Sequence, residues 1–488
     1  MLWPLVCLFF LPLTRSQSIH SSLSLNAPLS LSGNNFSSTP LLFSLPSSSQ
    51  LTVSIALCTS PSNTPPRVFV SNSSDSQVTP GPNGGPDVFE VILGSLGLGN
   101  LTLDAGDTTG VLAVYGGTTS DSLEIGVSQG APLHAPLAKL PFFGDSTANE
   151  ALLFSPPFFP PAPPPEPTYP NYTLPLANTT LPPFPPPSES ASSPNFTLFL
   201  APLDAGLASL PQTACAVRTR VKGDASAAQS AQVLAEQMWL RDDAGWRREW
   251  LVGRLSPLTN YSVYAIQDST RLSGPIYFTT KSASFSCQLV HALPYCPRTA
   301  YAVPLPEPPD SAPAYNASNL PDTLATPLLA YLSNFTASLL TVACGRDHYS
   351  PLQTCADCQE AYRHWLCAVS LPRCGEFPSS TQQPQQPPPQ QQVLLPALLP
   401  QPSGTAPRNA VLGNSTSYTA LLPCIETCNA ADRACPIFLG FRCPSGDKPT
   451  AQSSYGVGYI DSMDGDVRGG GVPGAAQDRW GNVYCNGN

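Results

Sequence analysis

Ser350-Pro-Leu-Gln-Thr-Cys355-Ala-Asp-Cys358-Gln-Glu-Ala-Tyr362-Arg-His-Trp365-Leu-Cys367-Ala-Val369-Ser-Leu-Pro-Arg-Cys374 decides how the most informative part of this chain folds. Cys355, Cys358, Tyr362, Trp365 and Val369 fall at i, i+3, i+7, i+10 and i+14, which is one stripe of a helix. Ser350-Pro351 provides a start signal. Cys424, Cys428 and Cys435 form a second stripe at i, i+4 and i+11, after Pro423. Cysteines on one helix face point the same way and rarely bridge each other. The spacing therefore predicts two helices, over 354–369 and 424–435, stapled by disulfides to other segments.

Working outward, Cys287, Cys296, Cys344, Cys355, Cys358, Cys367, Cys374, Cys424, Cys428, Cys435, Cys443 and Cys485 make residues 283–488 a cysteine-rich domain. Each half alone has few apolar residues for a core, so one domain is expected. A Gln/Pro tract interrupts it and predicts a disordered insertion over 378–410. Upstream, 195–282 reads as a β-domain. Leu255-Ser-Pro257-Leu-Thr259-Asn-Tyr261 resembles the tyrosine corner of a fibronectin type III sandwich, in which the tyrosine ring is buried and its hydroxyl returns to the backbone. Residues 156–187 hold 15 prolines in 32 positions, so 156–194 reads as a semi-rigid polyproline linker.

Residues 17–155 read as all-β. Leu51–Cys58 alternates with period two, and the runs 67–70, 88–92, 100–103, 111–115 and 122–125 are separated by Gly, Pro, Asn and Asp, as in a sandwich. Residues 1–16 carry a short apolar run ending in Thr-Arg-Ser and read as a secretion signal. Its loss removes Cys7 and leaves an even fourteen cysteines, with Cys58 and Cys215 added to the twelve above. An even set in a secreted chain reads as disulfides. Asn35, Asn72, Asn100, Asn171, Asn178, Asn195, Asn260, Asn316, Asn334 and Asn414 each open an Asn-X-Ser/Thr sequon, which predicts a glycoprotein.

Composition excludes other classes. The net charge is −10 and only 11% of residues are charged, which argues against nucleic acid. The 59 prolines among 488 residues argue against a single helical or Rossmann-type enzyme. Beyond the signal, no stretch offers ~20 uninterrupted apolar residues for a membrane span.

Motifs with a chemical look carry little chemistry. Cys355-x-x-Cys358 has redox spacing but no strand ahead of it, and structural bridging is expected. His348 and His364 stand 16 apart and give no second ligand pair for zinc. Gly126-Val-Ser128-Gln-Gly130 matches a nucleophile elbow, but Pro132 and Pro136 forbid the helix that must follow. Asp461-Ser-Met-Asp-Gly-Asp466 places Gly at position five and Val472 at twelve, so an EF-hand loop fails. Gly97-Leu-Gly99 runs into a strand and makes no nucleotide loop. No catalytic residue, cofactor or metal site is expected.

Cys344-Gly-Arg, then Ser350-Pro-x2-Thr-Cys355-x2-Cys358-x3-Tyr362-x2-Trp365-Leu-Cys367-Ala-Val-x-Leu-Pro-Arg-Cys374, resembles the fungal stretch-activated calcium channel accessory subunit, the mating-induced death protein family. Leu422-Pro-Cys424-x3-Cys428-x6-Cys435-Pro-x3-Gly-Phe-x-Cys443-Pro and Trp480-Gly-Asn-Val-Tyr-Cys485-Asn extend the resemblance. So do Leu123-Glu-Ile-Gly-Val-Ser128, His134 and Gly144-Asp-Ser-Thr-Ala-x-Glu-Ala-Leu-Leu-Phe-Ser-Pro-Pro157. The resemblance implies a multidomain protein, with β-sandwich domains followed by a disulfide-rich, mainly helical, frizzled-like domain. It implies a non-enzymatic regulatory subunit on the extracellular face of the plasma membrane. There it binds a large four-repeat calcium channel pore subunit and supports stress- or stretch-stimulated calcium uptake. With no span of its own beyond the signal, the chain is expected to hold the membrane through that partner. Two other readings remain: a structural secreted or cell-wall glycoprotein, suggested by the Pro-rich tracts and sequons, and a hydrolase built on Ser128.

Overall fold

The computed structural model describes residues 21–36, 40–48, 50–60, 65–71, 79–85, 87–103, 110–161, 167–177, 194–223, 231–377, 397–403, 411–413, 416–445, 449–457 and 484–487. The signal-like residues 1–16 and the Asp461–Asp466 run lie outside them. The chain divides into two compact units, one of Met1–Pro136, Ala208–Arg220 and Ser269–Leu272, the other of the remainder.

Among the described residues the first unit holds nine strands: β1 (Ser21–Ser22), β2 (Leu29–Ser32), β3 (Leu41–Ser44), β4 (Leu51–Leu57), β5 (Arg67–Ser71), β6 (Val88–Val91), β7 (Leu98–Leu103), β8 (Val111–Tyr115) and β9 (Ser122–Ser128). They form two sheets, ordered β1-β3-β8-β5-β6 and β2-β9-β4-β7. Every β-run read from the alternation is a strand here. Val53, Ile55 and Leu57 face Val68, Val70, Leu112 and Val114 in one apolar core, because residues two apart share a strand face.

β4 is buried on both faces, unlike a half-exposed alternating strand. Its second face is covered: Ser54 Oγ meets His134 Nδ1 at 3.1 Å, and Ala56 packs against the Cys58–Cys215 bridge. That bridge spans 157 residues and fixes helix α1 (Ala214–Gly223) to the sheet. Thr213 caps α1, accepting from Ala216 N–H and donating to the Leu57 carbonyl.

The second unit begins with another sandwich. Strands β10 (Phe142–Ser146) and β11 (Ala151–Phe154) join β13 (Gln232–Asp242) and β14 (Gly245–Gly253) in the order β10-β11-β14-β13. β12 (Phe196–Pro202), β15 (Asn260–Gln267) and β16 (Arg271–Thr279) make the facing sheet, in the order β12-β15-β16. Phe143, Leu153, Trp250, Val263 and Phe278 fill the space between them. The sandwich thus draws β10 and β11 from the 17–155 segment, while 208–220 of the 195–282 segment belongs to the first unit. The hydrogen-bonding edge of β14, open in sequence, is met by β11 in antiparallel register from Ala151↔Val252 to Phe154↔Glu249. Tyr261 is buried, and its hydroxyl oxygen accepts from Ser256 N–H at 2.9 Å.

The rest of the unit contains the short pair β17 (Gln288–Val290) and β18 (Tyr301–Val303), then α2 (Asp322–Leu339) and α3 (Cys355–Ser370). β19 (Arg373–Cys374), β20 (Leu398–Gln401), β21 (Tyr418–Leu421), α4 (Ile425–Ala434) and α5 (Pro449–Ser454) follow. α3 begins at Cys355 with Thr354 as its N-cap, within a residue of the start that the spacing predicts. Thr354 and Asp357 satisfy each other's backbone N–H in a capping box, which supplies donors that the first turn cannot satisfy itself. α2 buries Leu324, Leu328, Leu332 and Leu339, and Pro321 and Pro327 conceal this helix in sequence.

Two expectations are corrected. The insertion over 378–410 is not uniformly unstructured, since Leu398–Gln401 pairs with Tyr418–Leu421. Residues 378–396 and 404–410 lie outside the described residues. Nor is the described part of the 156–194 linker a free spacer. Leu174 and Ala177 are buried in apolar clusters, and Gln359 Nε2 donates to the Pro175 carbonyl at 2.8 Å. Leu174 and Ala177 find a surface to cover while Leu176 stays exposed, and a polyproline backbone leaves its carbonyls free to accept.

Candidate functional site

The disulfides define the scaffold. Besides Cys58–Cys215, the pairs are Cys287–Cys374, Cys296–Cys367, Cys344–Cys355, Cys358–Cys435, Cys424–Cys485 and Cys428–Cys443. Each helical cysteine bonds outside its own helix, as near-parallel Cβ vectors on one face require. Cys355 and Cys358 enter different bridges, so the CxxC pair has no thiol to exchange. Cys424, Cys485 and Glu426 lie close together, but both sulfurs are spent in one bond and offer no thiolate to a metal.

α3 is the centre of this scaffold. Cys355, Cys358 and Cys367 tie it to the loop before it, to the end of α4 and to the 296–299 loop. The Tyr362 ring stacks on Phe335 of α2 at 3.5 Å, and Trp365 meets Phe441 edge-on at 4.7 Å. The Trp365 indole N–H donates to the Tyr455 hydroxyl at 3.0 Å. The motif aromatics are thus the packing between helices.

Beside α3 opens a cleft of about 480 Å³, lined by α3, α4, the 296–299 loop and the β13–β14 turn. Its ionisable groups are Asp243, Arg298, Asp357, Glu360, His364 and Arg433. Asp243 and Arg433 are exposed at the rim. On the floor, His364 Nε2 lies 3.0 Å from the Gly487 carbonyl and Nδ1 lies 3.3 Å from Arg298 Nη1. Burial, then the neighbouring Arg298 charge, holds its imidazole well below the usual histidine range. Arg363 is lowered chiefly by burial. An open concavity with both charge signs suits a polar protein surface better than a small apolar ligand.

Other buried polar clusters hold the fold. Asp145 accepts from Arg373 at 2.8 Å, and Arg373 also donates to the Gly144 carbonyl at 2.7 Å. His291 meets Glu249 at 3.0 Å. In the first unit, Ser54, His134 and Glu124 are grouped as a hydrolase triad would be, with His134 3.6 Å from Glu124. The His134 side chain is 0% exposed and that of Glu124 6%, so no substrate carbonyl reaches Ser54. Ser128 ends β9 and donates to the Ala131 carbonyl at 2.7 Å. Its motif is a strand running into a turn, which presents no nucleophile. Gly97-Leu-Gly99 likewise enters β7, and His348 is exposed.

Of the sequons, Asn35, Asn100, Asn171, Asn195, Asn260 and Asn334 are exposed and Asn316 is partly buried. Asn72, Asn178 and Asn414 lie outside the described residues. Asp145, Arg298 and Arg373 escape sequence reasoning as a site. Arg373, beside Cys374, and Asp145, after Gly144, carry only the positional signal of the motifs in which they stand.

A family described as Mid1, stretch-activated Ca2+-permeable channel component, matches residues 50–470. The stretch-activated cation channel MID1 of Cryptococcus neoformans var. grubii is 37% identical over 430 residues, covering 83% of this chain and 67% of that protein. The stretch-activated cation channel yam8 of Schizosaccharomyces pombe is 28% identical over 206 residues, covering 41% of this chain and 38% of its own. MID1 of Saccharomyces cerevisiae is 32% identical over 173 residues, with coverages of 35% and 28%. Among solved structures, purple acid phosphatase PPD1 from yellow lupin seeds aligns over 58% of this chain and 50% of its own. Its TM-score of 0.15 and 12% identity are too low to inform the fold. The match over residues 50–470 and the shared identity place the chain in the Mid1 family of stretch-activated Ca2+-permeable channel components.

Proposed function

We propose that this chain is an extracellular accessory subunit of a plasma-membrane calcium influx channel. It docks on a large four-repeat pore subunit through the cleft beside α3, and supports stress- or stretch-stimulated calcium uptake. The observation that carries this reading is the cleft itself, an open, two-signed surface on a helical scaffold that six disulfides hold rigid. A pre-organised face loses little entropy on binding. No helix among the described residues is long and apolar enough to cross a membrane, which supports attachment through the partner. In this reading the cysteine-rich part is a frizzled-like module, residues 1–16 direct secretion, and the exposed sequons carry glycans.

The test is affinity capture from detergent-solubilised membranes. The chain should retain a channel-sized protein. Asp243→Lys and Arg433→Glu, at the exposed rim, should lose it while the unfolding temperature stays unchanged. In cells lacking the pore subunit, the chain should leave membranes in an alkaline wash. Recovery in the cell-wall fraction with no membrane partner would instead establish the structural glycoprotein.

A further inference from the structure

Two tyrosines stand apart from the others. Tyr169 is 72% exposed and Tyr331 58% exposed, while every other tyrosine among the described residues is buried or half-buried. Single exposed apolar residues are common, but these two share a position. Each stands just ahead of a sequon, in Tyr169-Pro-Asn171-Tyr-Thr173 and in Tyr331-Leu-Ser-Asn334-Phe-Thr336. Both asparagines are exposed as well.

Local geometry sets each ring beside its asparagine. Tyr331 and Asn334 lie three residues apart on α2, a spacing that brings Cβ atoms to about 5–6 Å. Helical side chains lean toward the N-terminus, so the Asn334 amide lies over the turn that carries Tyr331. One turn on from Tyr331, the Phe335 ring stacks on Tyr362 at 3.5 Å. In the other sequon, Thr168 and Asn171 pair as an antiparallel bridge across a tight turn that contains Tyr169. Asn171 Oδ1 accepts from the Thr173 N–H at 3.2 Å and from the Thr173 hydroxyl at 2.8 Å, which leaves Nδ2, the atom that bears a glycan, to face outward. The Tyr169 ring meets Tyr172 edge-on at 6.2 Å.

The two sequons also converge. Gln359 Nε2 donates to the Pro175 carbonyl at 2.8 Å and to the Thr336 hydroxyl at 3.0 Å, and Thr336 is the threonine of the Asn334 sequon. α2 carries no charge after Asp322, and Ala330, Ser333, Ala337 and Ser338 share its exposed side with Tyr331. Charge therefore does not solubilise that side.

We propose that Tyr169 and Tyr331 are sugar-stacking platforms, each covered by the first N-acetylglucosamine of the glycan on its own sequon, Asn171 or Asn334. Both glycans then lie down on the elements that meet at Gln359. The proposal rests on the reading that the exposed sequons carry glycans. On attachment, Nδ2 displaces the pyrophosphate of a lipid-linked oligosaccharide at the sugar C1 and gives up one proton. The stacking itself makes no bond. The sugar's C–H groups and its N-acetyl methyl meet the negative face of the ring, and apolar surface on both leaves water.

The experiment uses the full chain secreted from a eukaryotic host, with its glycans trimmed enzymatically to the first N-acetylglucosamine. Asn334→Gln should lower the unfolding temperature by about 2 °C when Tyr331 is present and leave it unchanged in Tyr331→Ala. Asn171→Gln should behave the same way against Tyr169→Ala. Tyr331→Phe keeps the ring and should respond to Asn334→Gln as the wild type does. Iodination of each tyrosine should rise severalfold when its own sugar is removed, and not when the other is. Equal shifts in the tyrosine and alanine backgrounds, or iodination that ignores the sugar, overturn the stacking and leave the glycans in place. Peptide masses that find Asn171 and Asn334 unmodified overturn both the stacking and the glycan reading at these sites.

Discussion

Asp145 and Arg373, 228 positions apart in sequence, form a buried ion pair at 2.8 Å, and the same guanidinium reaches the Gly144 carbonyl. Both motifs in which these residues stand resemble the family, and the fold brings them together at the junction of β10 and β19. Lys281 adds a cation 3.9 Å from Asp145, and the Arg373 guanidinium lies 5.5 Å from the Tyr301 ring centroid.

Removing one member of that pair strands a charge in the interior. Arg373→Ala should cost about 3–5 kcal/mol, seen as a lower unfolding midpoint in denaturant. The double variant Asp145→Asn, Arg373→Leu should recover part of the loss, because a neutral pair needs less solvation than a buried carboxylate left with only Lys281 at 3.9 Å. Equal loss in the single and double variants would show that packing, not charge, sets the cost.

The disulfides should differ in worth by the loop they close. Cys296–Cys367 closes 71 residues and Cys344–Cys355 closes 11. Loop-closure entropy makes the longer one more stabilising by roughly 1.5 kcal/mol. Paired serine variants of each bridge, compared by equilibrium unfolding, check the order. Loss of the 296–367 bridge should also abolish stimulated calcium-tracer uptake in null cells at matched surface amounts.

Acid should weaken the first unit through Glu124. Burial raises its carboxyl, but His134, Arg218 and Ser30 outweigh that and hold it below the usual range. Arg218 approaches to 2.6 Å. A folded value below the unfolded value of about 4.3 means stability that is present above pH 4.3 and lost as pH falls through the folded value. Arg218→Ala should therefore melt earlier than wild type at pH 6, with the gap narrowing at pH 3. A gap that is constant with pH would remove Glu124 from the account.

The Gln/Pro tract should tolerate replacement only up to the strand that follows it. A Gly/Ser linker of equal length over 382–396 should leave surface expression and calcium uptake intact, since by composition it needs only to span its ends. Extending the replacement through Leu398–Gln401 removes β20 from its ladder with β21 and should lower both, as read by surface labelling and tracer uptake.

Short-range features were legible in the sequence because local geometry creates them. Short apolar runs marked β4 to β9 of the first sandwich, but not β1, β2 or β3. Cysteine spacing marked α3 and α4. Leu255 to Tyr261 marked the tyrosine corner, whose bond spans only five residues. Each of these depends on side-chain direction within a turn or a strand, which the backbone repeat dictates.

What the tertiary structure alone decided is which distant pieces meet. Fourteen cysteines permit a great many pairings, and only the fold selects Cys58–Cys215 across 157 residues or Cys358–Cys435 across 77. It also places β11 beside β14, buries Leu174 under the helices and brings His364 to Gly487. Periodicity says that a face is apolar or that an edge is open, but not what will cover it. That choice is made by summed burial and hydrogen bonding over the whole chain, and the cleft beside α3 exists only as its result.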